Sequence, residues 1–290
     1  MQKFCIATDS GCDLAADFCR SRNLITYQMK YIVNDKEYTD TSEVSDIKRF
    51  YADMRSGAAP KTTQIPPYDL INFWKSLLPL DLPIVHLGIG SAISGTYSNA
   101  VAAREMFLAE HPGVQLYLID STLASLAYGM LLIKAADMRD DGKSAVECVD
   151  WIESHKALIN AYFTTNDLVY LQRGGRLGLA SAIVGSVLNI NPILKLDDAG
   201  SIVIHDKTRG RKGAFKRICE IIERTCIAPQ EQTLYVCHSD MDHDELVTIG
   251  DSLKERFGFT DVFYTFIGPI VGAHTGPGLY SVFFYGKPRT

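Results

Sequence analysis

Residues 84–120, IVHLGIGSAISGTYSNAVAAREMFLAEHPGVQLYLID, decide the architecture. IVHLGI and QLYLID are apolar runs of strand length. Between them, from about Tyr97 to Glu110, Ala100, Ala103 and Phe107 share one helical face. Strand, helix and strand in this order form the βαβ crossover of a parallel sheet with buried strands. The loop that joins the first strand to the helix is built of glycines and hydroxyl residues. Such a loop directs backbone N–H groups and the positive end of the helix dipole at one point, which suits an anion.

The same loop excludes two chemistries. Gly90, Gly95 and Thr96 come close to a phosphate-binding P-loop, but Tyr97 stands where the lysine and hydroxyl pair is required. Ser94 is not in a nucleophile elbow, because Ala92 occupies the place of its first glycine. What remains open is either an anion nest, formed by the Ser94 hydroxyl and the N–H groups of Gly95 and Thr96, or an ordinary glycine-rich turn.

Outward from this core the alternation continues. FCIAT at 4–8 reads as a first strand, after which Ser10 or Asp13 is expected to cap a helix over Leu14 to Arg20. ITYQMKYIVNDKEYTD reads as a hairpin turning at Asn34 and Asp35. Residues 123–138 form a strongly apolar helix and 144–158 an amphipathic one. From about 159 the texture becomes β-rich. NAYFTT, NPILKLD and SIVIHDKTR are strands, the last two turning at Asp198 to Gly200, followed by TLYVCHS, a helix over 242–257, DVFYTF and LYSVFFYG. The expected fold is therefore α/β with two α/β domains. Residues 1–158 carry a mainly parallel sheet and residues 159–290 a mixed sheet.

Composition narrows the function. Hydrophobic residues make up 47% and charged residues 22% of the 290 positions, as in a folded globular protein. Lys+Arg at 29 against Asp+Glu at 34 leaves a net charge of −5, so no general attraction to nucleic acid is expected. The N-terminus lacks a signal-peptide pattern and no apolar run is long enough to span a bilayer, which predicts a cytoplasmic protein. The seven cysteines form no CxxC pair, and the seven-residue recurrence of Cys5, Cys12 and Cys19 falls on strand, loop and helix, so no metal site is expected.

Three further clusters carry chemistry. In KTTQIPPYDL (61–70), Thr62 and Thr63 offer adjacent hydroxyls, although Thr63 and Asp69 can equally cap the helix that follows. In GPIVGAHTGPGLYSVFFYG (268–286), His274 stands among glycines in a segment read as irregular, where an imidazole can donate to a carboxylate or phosphate. LQRGGRLGLASAIVGSVLNINPILKL (171–196) places Arg173 and Arg176 before an apolar helix, and KTRGRKG (207–213) adds Lys207, Arg209, Arg211 and Lys212. For these basic residues, solvated charge and a docking patch both remain open.

TDSGCDL, KTTQIPP, SAISGTYSNA, LQRGGRLGLASAIVGSVLNINPILKL with DKTRGRKGA, and HTGPGLYSVFF stand in an order and spacing that resemble the DegV family of fatty acid binding proteins (FakB-like). One departure is TTQIP in place of the usual TSQPS, so that Thr63 replaces a serine and Ile65 a proline. The resemblance implies binding of one long-chain fatty acid between the two domains, with no cofactor and no catalytic residues. Its carboxylate is expected on Thr62, Ser94, His274 and the Gly95 N–H, with Thr63 and Thr96 as second choices. Arg176 and Arg209 are expected at the site rim or in partner docking. The resemblance further implies a fatty acid kinase that phosphorylates the bound carboxyl, acyl-transfer enzymes that receive the acyl-phosphate, and transient membrane contact.

Burial of each CH₂ is worth roughly 0.8 kcal/mol, so an apolar tunnel supplies most of the affinity and the polar cluster orients the head. Leu126, Met130, Ile183, Val187, Leu188, Ile267 and Ile270 are the candidates for the tunnel wall, with ordinary core packing the alternative for each. The competing reading is an enzyme, a hydrolase or phosphotransferase acting on a small organic acid derivative with Ser94 as nucleophile and His274 as base. It requires a third group to orient the imidazole, and none is evident in the sequence. A sensor of another organic acid is a third reading.

Overall fold

The computed structural model describes residues 3–165, 167–177 and 190–290. Its first half is organised on a four-stranded parallel sheet of β1 (Cys5–Asp9), β2 (Leu24–Tyr27), β6 (Ile84–Gly88) and β7 (Leu116–Asp120), in the order β2-β1-β6-β7. Every residue of β1 and β6 is buried, as expected of central strands covered on both faces.

α4 (Thr96–Glu110) makes the crossover from β6 to β7 and buries Ala100, Ala103 and Phe107. Phe107 meets Trp74 of α3 (Pro67–Leu77) edge to face, 5.6 Å between ring centroids. On this side lies a small antiparallel sheet of β3 (Lys30–Val33), β4 (Lys36–Thr39) and β5 (Lys61–Thr62), with α2 (Val44–Arg55) packed nearby. Asn34 and Asp35 close the β3–β4 hairpin with φ of 50° and 60°, the doubly positive geometry of a type I′ turn.

α5 (Leu126–Asp140) is apolar around nearly its whole circumference because it is covered on several sides, touching β1 and β6 as well as the sheet of the second half. α6 (Ala145–His155) begins with a capping box: Ser144 Oγ accepts the Glu147 N–H at 3.3 Å, and Glu147 Oε2 accepts the Ser144 N–H at 2.8 Å.

The second half forms a six-stranded mixed sheet from β8 (Ile159–Thr164), β9 (Ile190–Leu196), β10 (Ile202–Arg209), β11 (Thr233–His238), β12 (Asp261–Phe266) and β13 (Tyr280–Tyr285). The order is β10-β9-β8-β13-β11-β12, and β11 with β12 is its parallel pair. α8 (Gly210–Thr225) and α9 (His243–Phe257) cover its outer face over a separate apolar core. The fold is α/β, with a parallel sheet first and a mixed sheet second.

Three local expectations fail. α1 spans Ala16–Ser21 and neither Ser10 nor Asp13 caps it; the position before the helix is Ala15, which makes no side-chain cap. Ser10 Oγ instead accepts the Met29 N–H at 3.1 Å, and Asp13 is buried in the left-handed conformation. Neither Thr63 nor Asp69 caps α3, which starts after Pro66 with Pro67 in its first turn; Asp69 accepts the Tyr27 hydroxyl at 3.1 Å. The segment around His274 is a helix, α10 (Pro269–Thr275), which starts with proline at its first turn and stops at Gly276, φ 72°. The apolar helix expected after Arg176 lies outside the described residues.

Candidate functional site

The tip of β5 and the last turn of α10 come together, and Thr62 Oγ1 lies 2.8 Å from His274 Nε2. Thr62 reaches this point because β5 pairs with β3 in the register Tyr31 opposite Thr62. α7 (Val169–Arg173) closes the other side of the imidazole. A Cβ on the following Gly174 would collide with His274 Nδ1, so the absence of a side chain there makes room for the ring. Gly276 meets the Tyr170 ring in the same way, and its positive φ independently favours glycine.

His274 Nδ1 is buried and has no hydrogen-bond partner among the described residues. Burial, and secondarily the Arg176 charge, lower the imidazole pKa to about 4, so the ring is neutral at physiological pH. It can therefore act as a hydrogen-bond donor or acceptor and does not serve as a counter-charge.

Ser94 stands across the same cavity. Its Oγ accepts the Thr96 N–H at 3.2 Å and donates to Thr96 Oγ1 at 3.1 Å, while Thr96 Oγ1 also accepts the Ile65 N–H at 3.3 Å. The Thr96 N–H expected in the anion nest is thus satisfied internally, and the buried Thr96 supports Ser94 from behind. No hydrogen bond engages the Gly95 N–H among the described residues. Asn99 Nδ2 binds the Gln64 side chain at 3.3 Å and the Ile65 carbonyl at 3.0 Å, which ties the KTTQIP segment to the start of α4.

The cavity, of about 130 Å³, is lined by polar residues that include Thr62, Thr63, Gln64, Ser94, Arg176 and His274 and by apolar residues that include Ile89, Ile93, Leu171, Ile202, Ile270 and Val271. Of the residues proposed from sequence, Thr62, Thr63, Ser94 and His274 meet here. The Thr63 hydroxyl points to the Lys30 carbonyl at 3.5 Å. Gly95 and Thr96 adjoin the cavity without lining it.

Arg176 lies half-buried at the cavity wall, with Nε on the Ile93 carbonyl at 3.2 Å and a terminal nitrogen on the Gly174 carbonyl at 2.6 Å. Arg209 is exposed at the end of β10 and does not line the cavity. Of the expected wall residues, Ile270 lines this cavity; Met130 borders a different cleft, and Leu126 and Ile267 belong to the main core. Ile183, Val187 and Leu188 lie outside the described residues.

Sequence reasoning passed over Gln64 and Gly174. For Gly174 the signal was available in the glycine pair between Arg173 and Arg176. Among the described residues no cluster of His, Cys, Asp and Glu is arranged to hold a metal ion, and no helix is long and apolar enough to cross a membrane.

The model of the family described as "Uncharacterised protein, DegV family" matches residues 3–287. This chain belongs to the DegV family. A DegV domain-containing protein of Clostridium perfringens is 34% identical, the match covering 100% of this chain and 99% of that one. Two solved DegV structures superpose with a TM-score of 0.85 each, covering 99% of this chain and 100% of theirs. One is DegV from Bacillus subtilis, described as a fatty acid binding protein, at 28% identity; the other is a DegV family protein from Thermus thermophilus, described by its fatty acid binding, at 26%.

Proposed function

We propose that this chain binds a long-chain fatty acid, with the carboxylate held by Thr62, Ser94 and His274 and the acyl chain in the apolar part of the cavity. The observation that carries this reading is the 2.8 Å contact of Thr62 with His274 in a cavity that also has Ile89, Ile93, Leu171, Ile202, Ile270 and Val271 in its wall. A neutral imidazole protonated on Nε2 donates to Thr62 Oγ1, which frees the threonine proton for an anion. The Ser94 hydroxyl and the open Gly95 N–H supply further donors, and Arg176 lends positive charge at the wall. Several directed hydrogen bonds of this kind offset the desolvation of a carboxylate. The fatty acid binding described for the Bacillus and Thermus relatives supports the same reading.

In this reading the chain presents its ligand to a fatty acid kinase, and acyl-transfer enzymes receive the acyl-phosphate. It does no chemistry of its own. The imidazole engages Thr62, and its other nitrogen has no partner among the described residues, which supports a binding role over a hydrolase built on Ser94 and His274. The division of the chain at 158/159 into two domains, with the ligand between them and Arg209 on the partner-facing side, belongs to the same proposal.

Mass spectrometry of lipid extracted from the purified protein tests the first part. One fatty acid per chain is expected, and a different organic acid or none, together with no binding of added hexadecanoate, overturns the reading. For the second part, adding a fatty acid kinase and ATP to the loaded protein is expected to yield acyl-phosphate.

A further inference from the structure

His274 can meet Thr62 only if α10 is held in place; α10 packs against α7 and β5, and at its start it is tied to residues of the first half of the chain. The Gly268 N–H, immediately before α10, donates to Asp13 Oδ1 at 2.8 Å. The Tyr51 hydroxyl donates to the Ile267 carbonyl at 2.8 Å, and Thr265 Oγ1 donates to the Asp13 carbonyl at 2.9 Å. The second oxygen of Asp13 accepts the Ser125 hydroxyl.

Asp40 faces the same spot. Its Oδ1 accepts the Ser42 N–H at 3.1 Å, and the Ser10 hydroxyl also faces the carboxyl, while Oδ2 is buried and no ion pair reaches it among the described residues. A point one Cβ bond from Gly268 lies 3.2 Å from Asp13 Oδ1 and 3.3 Å from Asp40 Oδ2, so both carboxyl groups converge on the residue that launches α10.

The surrounding groups are mainly negative or neutral: Asp9 approaches from β1, Tyr51 from α2, Tyr31 from β3, Tyr128 from α5 and Cys237 from β11, while the α2 residue Asp46 is paired with Arg49 at 3.0 Å and Arg49 also faces Tyr31. Among the described residues no Lys, Arg or His forms an ion pair with Asp9, Asp13 or Asp40. A buried carboxyl with no ionic partner beside a second carboxyl calls for a proton.

We propose that Asp13 and Asp40 are positioning residues that hold a proton beside Gly268, and that this proton seats α10 so that His274 reaches Thr62. The inference rests on the reading of His274 as a head-group ligand. While the proton is present, Asp13 accepts the Gly268 N–H beside a neutral neighbour. When it leaves, two buried carboxylates repel across Gly268, α10 shifts and the anion site loosens. Burial, with Asp9 and Asp46 adding like charge, raises the Asp40 pKa to about 7, and burial raises that of Asp13 well above the usual carboxylate range. The switch therefore falls near neutrality, well away from the His274 titration at about 4.

The test is the affinity of the full chain for dodecanesulfonate, an amphiphile ionised at every pH used, measured by calorimetry from about pH 5.5 to about pH 8.5. Loss of the Thr62–His274 donor set corresponds to roughly a tenfold weakening. The wild type is expected to weaken by about that factor as pH rises, with its midpoint near the Asp40 titration. Asp40→Asn is expected to bind with one affinity throughout, and Asp40→Glu to restore a pH dependence with a displaced midpoint. A flat wild-type profile, or an unchanged profile in Asp40→Asn, overturns the proposal.

Infrared spectroscopy of the wild type requires neither ligand nor variant. The carbonyl band of a protonated carboxyl is expected to lose intensity between about pH 6 and about pH 8.5, and a constant spectrum overturns the proposal. Failure to bind any amphiphile while this band titrates refutes the fatty-acid reading and leaves a buried protonated carboxyl, which loss of the band in Asp40→Asn assigns to Asp40.

Discussion

Thr62 and His274 are 212 positions apart in the chain, yet their side chains meet at 2.8 Å. The two come from different elements, a two-residue strand and a seven-residue helix, and the contact places a polar pair in a cavity that aliphatic side chains also line. Removing either partner leaves the other half-buried polar group short of a hydrogen bond. His274→Ala and Thr62→Val are each expected to weaken fatty acid binding by roughly tenfold, and the double variant by less than the product of the two. Isothermal titration of the four proteins checks the cycle; strict additivity contradicts a shared role.

Ser94 is the nucleophile of the competing reading and a donor in ours. Ser94→Ala is expected to weaken ligand binding by about 1 kcal/mol and to leave acyl-ester and phosphate hydrolysis at background in mutant and parent alike. Turnover by the parent that vanishes in Ser94→Ala refutes the binding-protein reading.

Gly174 has φ −73° and ψ −12°, a conformation alanine adopts without strain, so a substitution there reports on space. The added methyl collides with His274 Nδ1. Gly174→Ala is expected to cost about 1–3 kcal/mol of stability through overpacking, and to reduce fatty acid affinity as much as His274→Ala does. Denaturant melts and titration calorimetry on the same preparation decide it. Unchanged values in both disprove the packing argument.

Burial lifts the Asp40 pKa from 3.8 to about 7. Between those values the folded chain keeps a proton that the unfolded chain has lost, so the stability contribution is complete below the unfolded pKa and declines as pH rises through the folded one. The decline amounts to roughly 4 kcal/mol. Asp40→Asn is expected to be more stable than the parent at pH 8 by a margin that shrinks toward pH 4. Urea unfolding across that range measures the difference, and parallel curves speak against a protonated Asp40.

His86 gives the opposite slope. Its Nδ1 accepts the Trp74 indole N–H at 2.9 Å, and burial lowers its pKa from 6.5 to about 4. The unfolded chain takes up a proton first as pH falls, so the contribution is complete above the unfolded pKa and is lost toward pH 4, by roughly 3 kcal/mol. His86→Gln is expected to be less stable than the parent at pH 7, with a gap that narrows in acid. A gap that stays constant down to about pH 4 means that His86 is not held neutral.

Much of the fold was readable because the relevant forces are local. The βαβ unit over 84–120 follows from two strand-length apolar runs around a helical face, and the Asn34–Asp35 and Asp198–Gly200 turns follow from residues that tolerate their backbone angles. The failures are equally physical. Ser10 and Asp13 have the chemistry of helix caps, but tertiary partners claim them: the Met29 N–H takes one and the Gly268 N–H the other. Glycines and a proline around His274 suggested irregular chain, whereas proline belongs in a first helical turn and Gly276 in the stop.

The sequence alone determined the inventory: which residues could donate to an anion, which strands had to be buried, and that no P-loop or nucleophile elbow was present. Those properties depend on side-chain chemistry and on neighbours within one turn or one strand. The convergence was decided by the tertiary structure alone. Only folding brings β5, the Ser94 loop, α7 and α10 around one cavity, turns Arg176 inward, and sets Asp13 and Asp40 on either side of Gly268. Contacts between positions hundreds of residues apart depend on how layers pack, and no local pattern of residues encodes that distance.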